Sequence, residues 1–249
     1  MVRPPATASM RRVAARAAAV LLVGVIGVAI AGCTPTATTG GGQQSQSASH
    51  ASIPTGTKGA VDFDKGYITL GSGKTVVDTF IDPMCPYCGE FEKANGSQLG
   101  ALVNDGTITL RIHPLTFLDQ SSGGSQYSSR ASSALTCVAA SDPTKSLVYL
   151  AALYADQPQE GTSGLSNAEL VKLAKSVGAN NSSACITGGD NIAWAQKFNK
   201  KALSGGITGA DITSIKGTPT ILVNGHVFNG DFTSAAAVKA FIAAGGASS

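Results

Sequence analysis

The chain predicts an α/β domain carrying a long helical insertion, and three observations predict it. The first is an apolar, β-branched run, Thr75–Ile81, followed within a few residues by Cys85-Pro86-Tyr87-Cys88 and then by the helix-favouring Glu90-Phe91-Glu92-Lys93-Ala94. The second is a stretch of helical character with Ala, Leu, Val and Lys at helical spacing in residues 129–140, 144–155, 166–176 and 191–203, broken by Asn180-Asn181-Ser182-Ser183 and glycine-rich turns. The third is Gly217-Thr218-Pro219-Thr220 leading into the short apolar strand Ile221-Leu222-Val223, with Asn224-Gly225 turning it back into His226-Val227-Phe228. The insertion, about residues 121–206, falls between the third strand, residues 107–113, and the proline-led strand.

The Cys85–Cys88 motif sits where a strand turns into a helix. Unpaired backbone N–H groups and the positive end of the helix dipole stabilise a thiolate there, so Cys85 is expected to be the exposed, low-pKa nucleophile. Cys88, one turn further in, is the expected buried resolving thiol. A zinc site needs two further ligands, usually as a second close pair, and none exists: His50, His113 and His226 are scattered singly. No metal or cofactor is therefore expected. A purely structural disulfide is also a poor use of so small a loop, because little loop entropy is removed. Pro86 and Tyr87 set the local geometry and tune the pair. Pro219 has a purpose if its peptide bond is cis, although an edge or entry proline is the plainer reading.

With these elements in this order, the chain resembles the thioredoxin fold, and within it the DsbA-like extracytoplasmic thiol:disulfide oxidoreductases. The run from Phe80 to Glu92 looks like the family's active-site segment, and Thr218-Pro219 matches its residue plus cis-proline. The resemblance implies that the backbone of Thr218 pairs with substrate as an added strand. One position departs: the family's buried acid, six residues before the first active-site cysteine, is Thr79 here. The proton relay for Cys88 is then open, with Asp82 as the candidate and Asp78 and Glu90 as neighbours that read equally well as solvated carboxylates. Pro-Tyr between the cysteines also departs from the Pro-His of strong oxidases. An oxidase that forms disulfides in exported proteins is the leading expectation, with a reductase or isomerase of the same fold, or a non-enzymatic partner- or metal-binding lipoprotein, as alternatives.

The N-terminus reads as an export signal. Arg3, Arg11, Arg12 and Arg16 precede an apolar run, residues 17–31, too short for a comfortable membrane span. It ends in Ile30-Ala31-Gly32-Cys33, which resembles the bacterial lipobox. Residues 1–32 are thus expected to be a lipoprotein signal peptide, Cys33 the lipidated residue, 33–57 the anchor and a Thr/Gly/Gln/Ser tether, and 58–249 the folded domain. An ordinary signal peptide or an uncleaved anchor is the alternative. The expected location is the extracytoplasmic face of the membrane, and the expected partners are exported thiol or disulfide proteins and a membrane redox partner.

Four of the 18 basic residues precede Cys33, leaving 14 against 15 acidic residues and a net charge of −1, which gives no footing for nucleic acid. Of five cysteines, Cys137 and Cys185 remain after the others are assigned. Both fall in the insertion, where DsbA-like proteins carry helices, and a disulfide between them would clamp it; two free thiols are the alternative. Trp194 and Phe198 read as core, and His113 and His226 as structural or exposed, with no partner that would make either a base or a ligand. A monomer is favoured.

Overall fold

The computed structural model describes residues 52–247; Cys33, the signal peptide and most of the tether lie outside them. The described residues form a seven-stranded sheet and seven α-helices. Three short or edge strands come first: β1 (Thr57–Lys58), β2 (Val61–Asp62) and β3 (Tyr67–Gly71). The central strands β4 (Thr75–Ile81) and β5 (Ile108–Pro114) pair in parallel, joined by helix α1 (Pro86–Asn104). Parallel neighbours need such a crossover, and burial on both faces explains the continuous apolar character of β4.

After β5 the chain enters the helical insertion: α2 (Tyr127–Ser141), α3 (Ser146–Ala155), α4 (Asn167–Ser176), α5 (Ser183–Gly188) and α6 (Ile192–Leu203). It returns as β6 (Thr220–Val223), β7 (His226–Val227) and α7 (Ala235–Ala243). The sheet order is β1-β2-β3-β5-β4-β6-β7, with every pairing but β4–β5 antiparallel. This is the mixed α/β thioredoxin-like architecture with its helical insertion.

Two details differ from the sequence expectation. The strand expected to be third is fifth along the chain, because the two-residue strands β1 and β2 are too short to carry an apolar pattern. The expected break at residues 180–183 runs straight into the single-turn helix α5, which has too few residues for a readable period.

The main core lies between the sheet, α1 and the insertion, where Trp194, Tyr127, Tyr149, Leu135 and Leu153 are fully buried. Trp194 packs edge-on to Phe63 at 5.5 Å, and its indole N–H donates to the Phe63 carbonyl at 2.9 Å. A smaller cluster of Phe80, Leu115, Ala202, Ile215 and Leu222 occupies the region beneath the end of α6. Helix α4 is closed by a capping box in which Ser166 and Glu169 satisfy each other's backbone N–H groups.

Candidate active site

Strand β4 delivers the cysteine motif to the first turn of α1. Asp82-Pro83-Met84 leads the chain off the sheet, Cys85 takes the extended N-cap conformation (φ −71°, ψ 118°), and Pro86 occupies the first turn. Proline fits there because its missing N–H would have no helical partner. The Cys88 and Gly89 amides both point back to the Cys85 carbonyl, at 3.0 and 3.2 Å. Both cysteines are present as thiols.

The peptide bond between Thr218 and Pro219 is cis, and it places the Thr218 carbonyl 3.3 Å from Cys85 Sγ. The two motifs, 133 residues apart in sequence, thus face each other. This loop also corrects one expectation: Cys85 is only 5% exposed, because the Thr218-Pro219 turn lies over it, whereas the Tyr87 side chain is 60% exposed. Phe232 meets Tyr87 edge-on at 6.3 Å, so the motif's outer face is aromatic.

The two thiols are driven apart in acidity. The Cys85 pKa is lowered to about 6, chiefly by the hydrogen bond from the Cys88 thiol, with help from Thr218 and from the backbone N–H groups of Cys88 and Tyr87, against the opposing effect of burial. Burial pushes Cys88 well above the ordinary thiol range, and the adjacent Cys85 adds to the rise. One proton shared by the pair therefore resides on Cys88, and the thiolate is Cys85.

Asp82 is fully buried directly beside this pair. Its Oδ1 accepts from the Met84 N–H at 2.8 Å and the Ser128 hydroxyl at 2.7 Å, while Oδ2 accepts from the Leu118 N–H at 2.9 Å. Burial raises its pKa to about 7 despite these three bonds. It is not a solvated carboxylate, and it ties the active-site segment to the β5–α2 connection and to α2. Asp78, by contrast, points to the other sheet face and Glu90 is exposed. Thr79, at the departing position, is buried, with its hydroxyl 3.5 Å from the Arg111 carbonyl.

Four residues around the site are absent from the sequence expectation. The Tyr154 hydroxyl donates to the Asp82 carbonyl at 3.2 Å, and the Gln157 amide donates to the Pro83 and Cys85 carbonyls at 3.0 and 2.9 Å. Ser128, Tyr154 and Gln157 arrive from the insertion, so no local pattern announces them. Glu92 was readable: it lies four residues after Cys88, on the same face of α1. Its carboxylate is half-buried, and burial raises its pKa to about 7.

The insertion carries a disulfide between Cys137 on α2 and Cys185 on α5, Cα–Cα 5.7 Å. The Asn191 amide approaches both sulfurs, at 3.4 and 3.5 Å. Both histidines have a carboxylate neighbour: one is partly buried on the sheet and the other lies on the surface. His113 Nε2 lies 2.8 Å from Asp78 Oδ1, because parallel pairing of β4 and β5 puts both side chains on one face of the sheet, and His226 Nδ1 lies 3.2 Å from Asp211 Oδ2 on the surface. Neither pair lies at the cysteine motif. Among the described residues, no cluster of three or more His, Cys, Asp or Glu side chains is arranged to hold a metal.

Comparison with known proteins gives the family. A thioredoxin family model (Thioredoxin_4) matches residues 67–244. The serine/threonine-protein kinase PknE of Mycobacterium tuberculosis is 34% identical over 171 residues, which is 67% of this chain but only 30% of the kinase. Among solved structures, the reduced disulfide bond oxidoreductase DsbG of M. tuberculosis superposes with a TM-score of 0.59 at 27% identity, covering 72% of this chain and 92% of DsbG. Oxidised DsbA of M. tuberculosis gives 0.59 at 26% identity over 72% of this chain and 97% of DsbA. BdbD of Bacillus subtilis, at 22% identity and 0.58, shares the fold over 77% of this chain and 98% of BdbD. The chain belongs to the thioredoxin family, among its DsbA-like thiol–disulfide oxidoreductases.

Proposed function

We propose that this protein forms disulfides in exported proteins, through exchange at Cys85 and Cys88. The observation that carries the reading is the split acidity of the pair at a helix N-terminus, with the Thr218 carbonyl 3.3 Å from Cys85. A substrate thiolate attacks Cys85 Sγ of the Cys85–Cys88 disulfide. The S–S bond breaks, a mixed disulfide forms at Cys85, and Cys88 leaves as a thiolate and takes up a proton. A second substrate thiolate then attacks the substrate sulfur of the mixed disulfide and releases Cys85 as a thiolate. The substrate is oxidised by two electrons and the enzyme ends as the dithiol. A membrane redox partner returns it to the disulfide.

Stabilising the Cys85 thiolate makes Cys85 the better leaving group and favours disulfide donation. Asp82 is the candidate proton relay for Cys88, since it is buried beside the pair and titrates near neutrality. The Thr218 backbone, leading into β6, offers the strand to which an extended substrate segment adds, with Pro219 fixing the turn and Pro86 and Tyr87 shaping the approach. Residues 1–32 act as a lipoprotein signal peptide, Cys33 carries the lipid, and residues 33–57 tether the domain, residues 58–249, to the extracytoplasmic face as a monomer. Among the described residues no helix is long and apolar enough to cross a membrane.

Equilibration with glutathione tests the direction of exchange. A Cys85–Cys88 potential displaced from about −270 mV toward about −120 mV supports the oxidase, whereas a value at or below about −270 mV makes the protein a reductase. Globomycin-sensitive processing and palmitate labelling, both lost in Cys33→Ala, test the anchor; secretion of an unlabelled protein contradicts it.

A further inference from the structure

On the sheet face opposite α1 lies a cavity of about 650 Å³. Strand β4 separates it from the redox site by simple alternation. Thr79 and Ile81 look toward Phe91 and Leu99 of α1, whereas Asp78 and Phe80 look into the cavity. Its size falls within the range of small-molecule sites. Its floor comprises Tyr67, Asp78, Phe80, Arg111, His113 and Leu222, with α6 and the glycine-rich loop at residues 206–210 forming the far wall.

The charges on this floor are unevenly satisfied. Asp78 and Arg111 are register partners on β4 and β5, yet they form no ion pair. Asp78 turns instead to His113, at 2.8 Å, and Arg111 lies over the Tyr67 ring, 4.9 Å from its centre. His113 is in turn stacked on Phe80 at 4.0 Å, and burial lowers its pKa, which favours the neutral ring. The Arg111 guanidinium therefore makes no hydrogen bond or ion pair to any side chain among the described residues. A guanidinium carries five donors in a fixed fork that matches a carboxylate or phosphate, and this one lines the cavity with its donors open. Lys201 on the α6 wall adds a second cation, and Phe80, Phe198 and Leu222 supply apolar surface beside them.

We propose that this cavity binds a small organic carboxylate, its carboxylate on the Arg111 fork and its apolar body against Phe80, Phe198 and Leu222. The size of the cavity and its mixed lining favour such a ligand over a bare inorganic anion. The site stands apart from Cys85 and Cys88 and does not depend on the direction of their exchange.

The test uses the full-length, ¹⁵N-labelled protein in detergent, titrated with benzoate and with its neutral isostere benzamide. Benzoate should shift the amides of Gly206, Gly209 and Gly225 and the Arg111 Nε–H saturably, and benzamide should not. Arg111→Gln should weaken benzoate by at least about tenfold, as expected for loss of a charged hydrogen-bond donor set, and Arg111→Lys should recover part of it. Thr208→Trp, at an exposed position on the cavity wall, should also weaken binding by taking up cavity volume, and unchanged affinity in it would overturn the proposal should Arg111→Gln fail to fold. Equal responses to benzoate and benzamide, shifts centred on Cys85 and Tyr87, unchanged affinity in a folded Arg111→Gln, or no saturable response at millimolar benzoate would each overturn the proposal.

Discussion

The protein contains two cysteine pairs whose surroundings differ in almost every respect. Cys85 and Cys88 are three residues apart at a strand-to-helix junction, with backbone N–H groups, Thr218 and an aromatic rim around them. Cys137 and Cys185 are 48 residues apart, joined as a disulfide that links two helices of the insertion and is approached by one amide, Asn191. A short loop gains little stability from closure, while a long one gains much. Conversely, a helix N-terminus separates the acidities of two neighbouring thiols, which a buried helix-to-helix bridge has no means to do. On the proposed function, the first pair exchanges and the second holds.

The largest effect expected is on exchange itself. Cys85→Ser should abolish oxidation of a dithiol peptide, whereas the double replacement of Cys137 and Cys185 by alanine should leave the chemistry intact in whatever fraction remains folded. Residual exchange in Cys85→Ser would place the nucleophile elsewhere. In stability the order reverses: the double alanine variant should lose about 4 kcal/mol by the loop-entropy estimate, read from the urea midpoint at constant slope. Cys88→Ser should accumulate mixed disulfides at Cys85, visible as dithiothreitol-sensitive adducts by mass spectrometry.

Smaller effects sharpen the contrast. Replacing Asp82 by asparagine puts an amide where two oxygens now accept three donors, and should cost about 1–3 kcal/mol while shifting the pH–rate profile of exchange. A stability loss with an unchanged profile would leave Asp82 a structural tie. Glu92 gives a signed pH dependence. Its pKa in the folded protein, about 7, stands above its ordinary value of 4.5, so the native state holds the proton longer and stability falls as pH rises through that window. Glu92→Gln should therefore raise the melting temperature more at pH 8 than at pH 5; an equal gain at both would contradict the burial of this carboxylate.

The redox motif was the most legible part of the sequence because strand, turn and helix are adjacent there and each has a local signature. The proline-led strand and hairpin were equally readable from Pro219 and Asn224-Gly225. What escaped was brought in over long sequence separations. Ser128, Tyr154 and Gln157 reach the motif from the insertion, and helical periodicity shows which face a residue occupies without showing what it will touch. The burial of Cys85 follows from the Thr218-Pro219 turn lying over it, an event no reading of residues 80–92 alone could supply. The partnering of His113 likewise depends on β4–β5 register, which a one-residue slip would have reversed.

The most direct single measurement is iodoacetamide labelling of the protein across pH, after mild reduction of the Cys85–Cys88 pair, with each cysteine followed by mass spectrometry. Cys85 should alkylate first with a midpoint near pH 6, Cys88 should stay protected until Cys85 is consumed, and Cys137 and Cys185 should remain unlabelled. First labelling at Cys88, or a Cys85 midpoint near the ordinary thiol value of about 8.5, would contradict the assignment of Cys85 as the activated nucleophile.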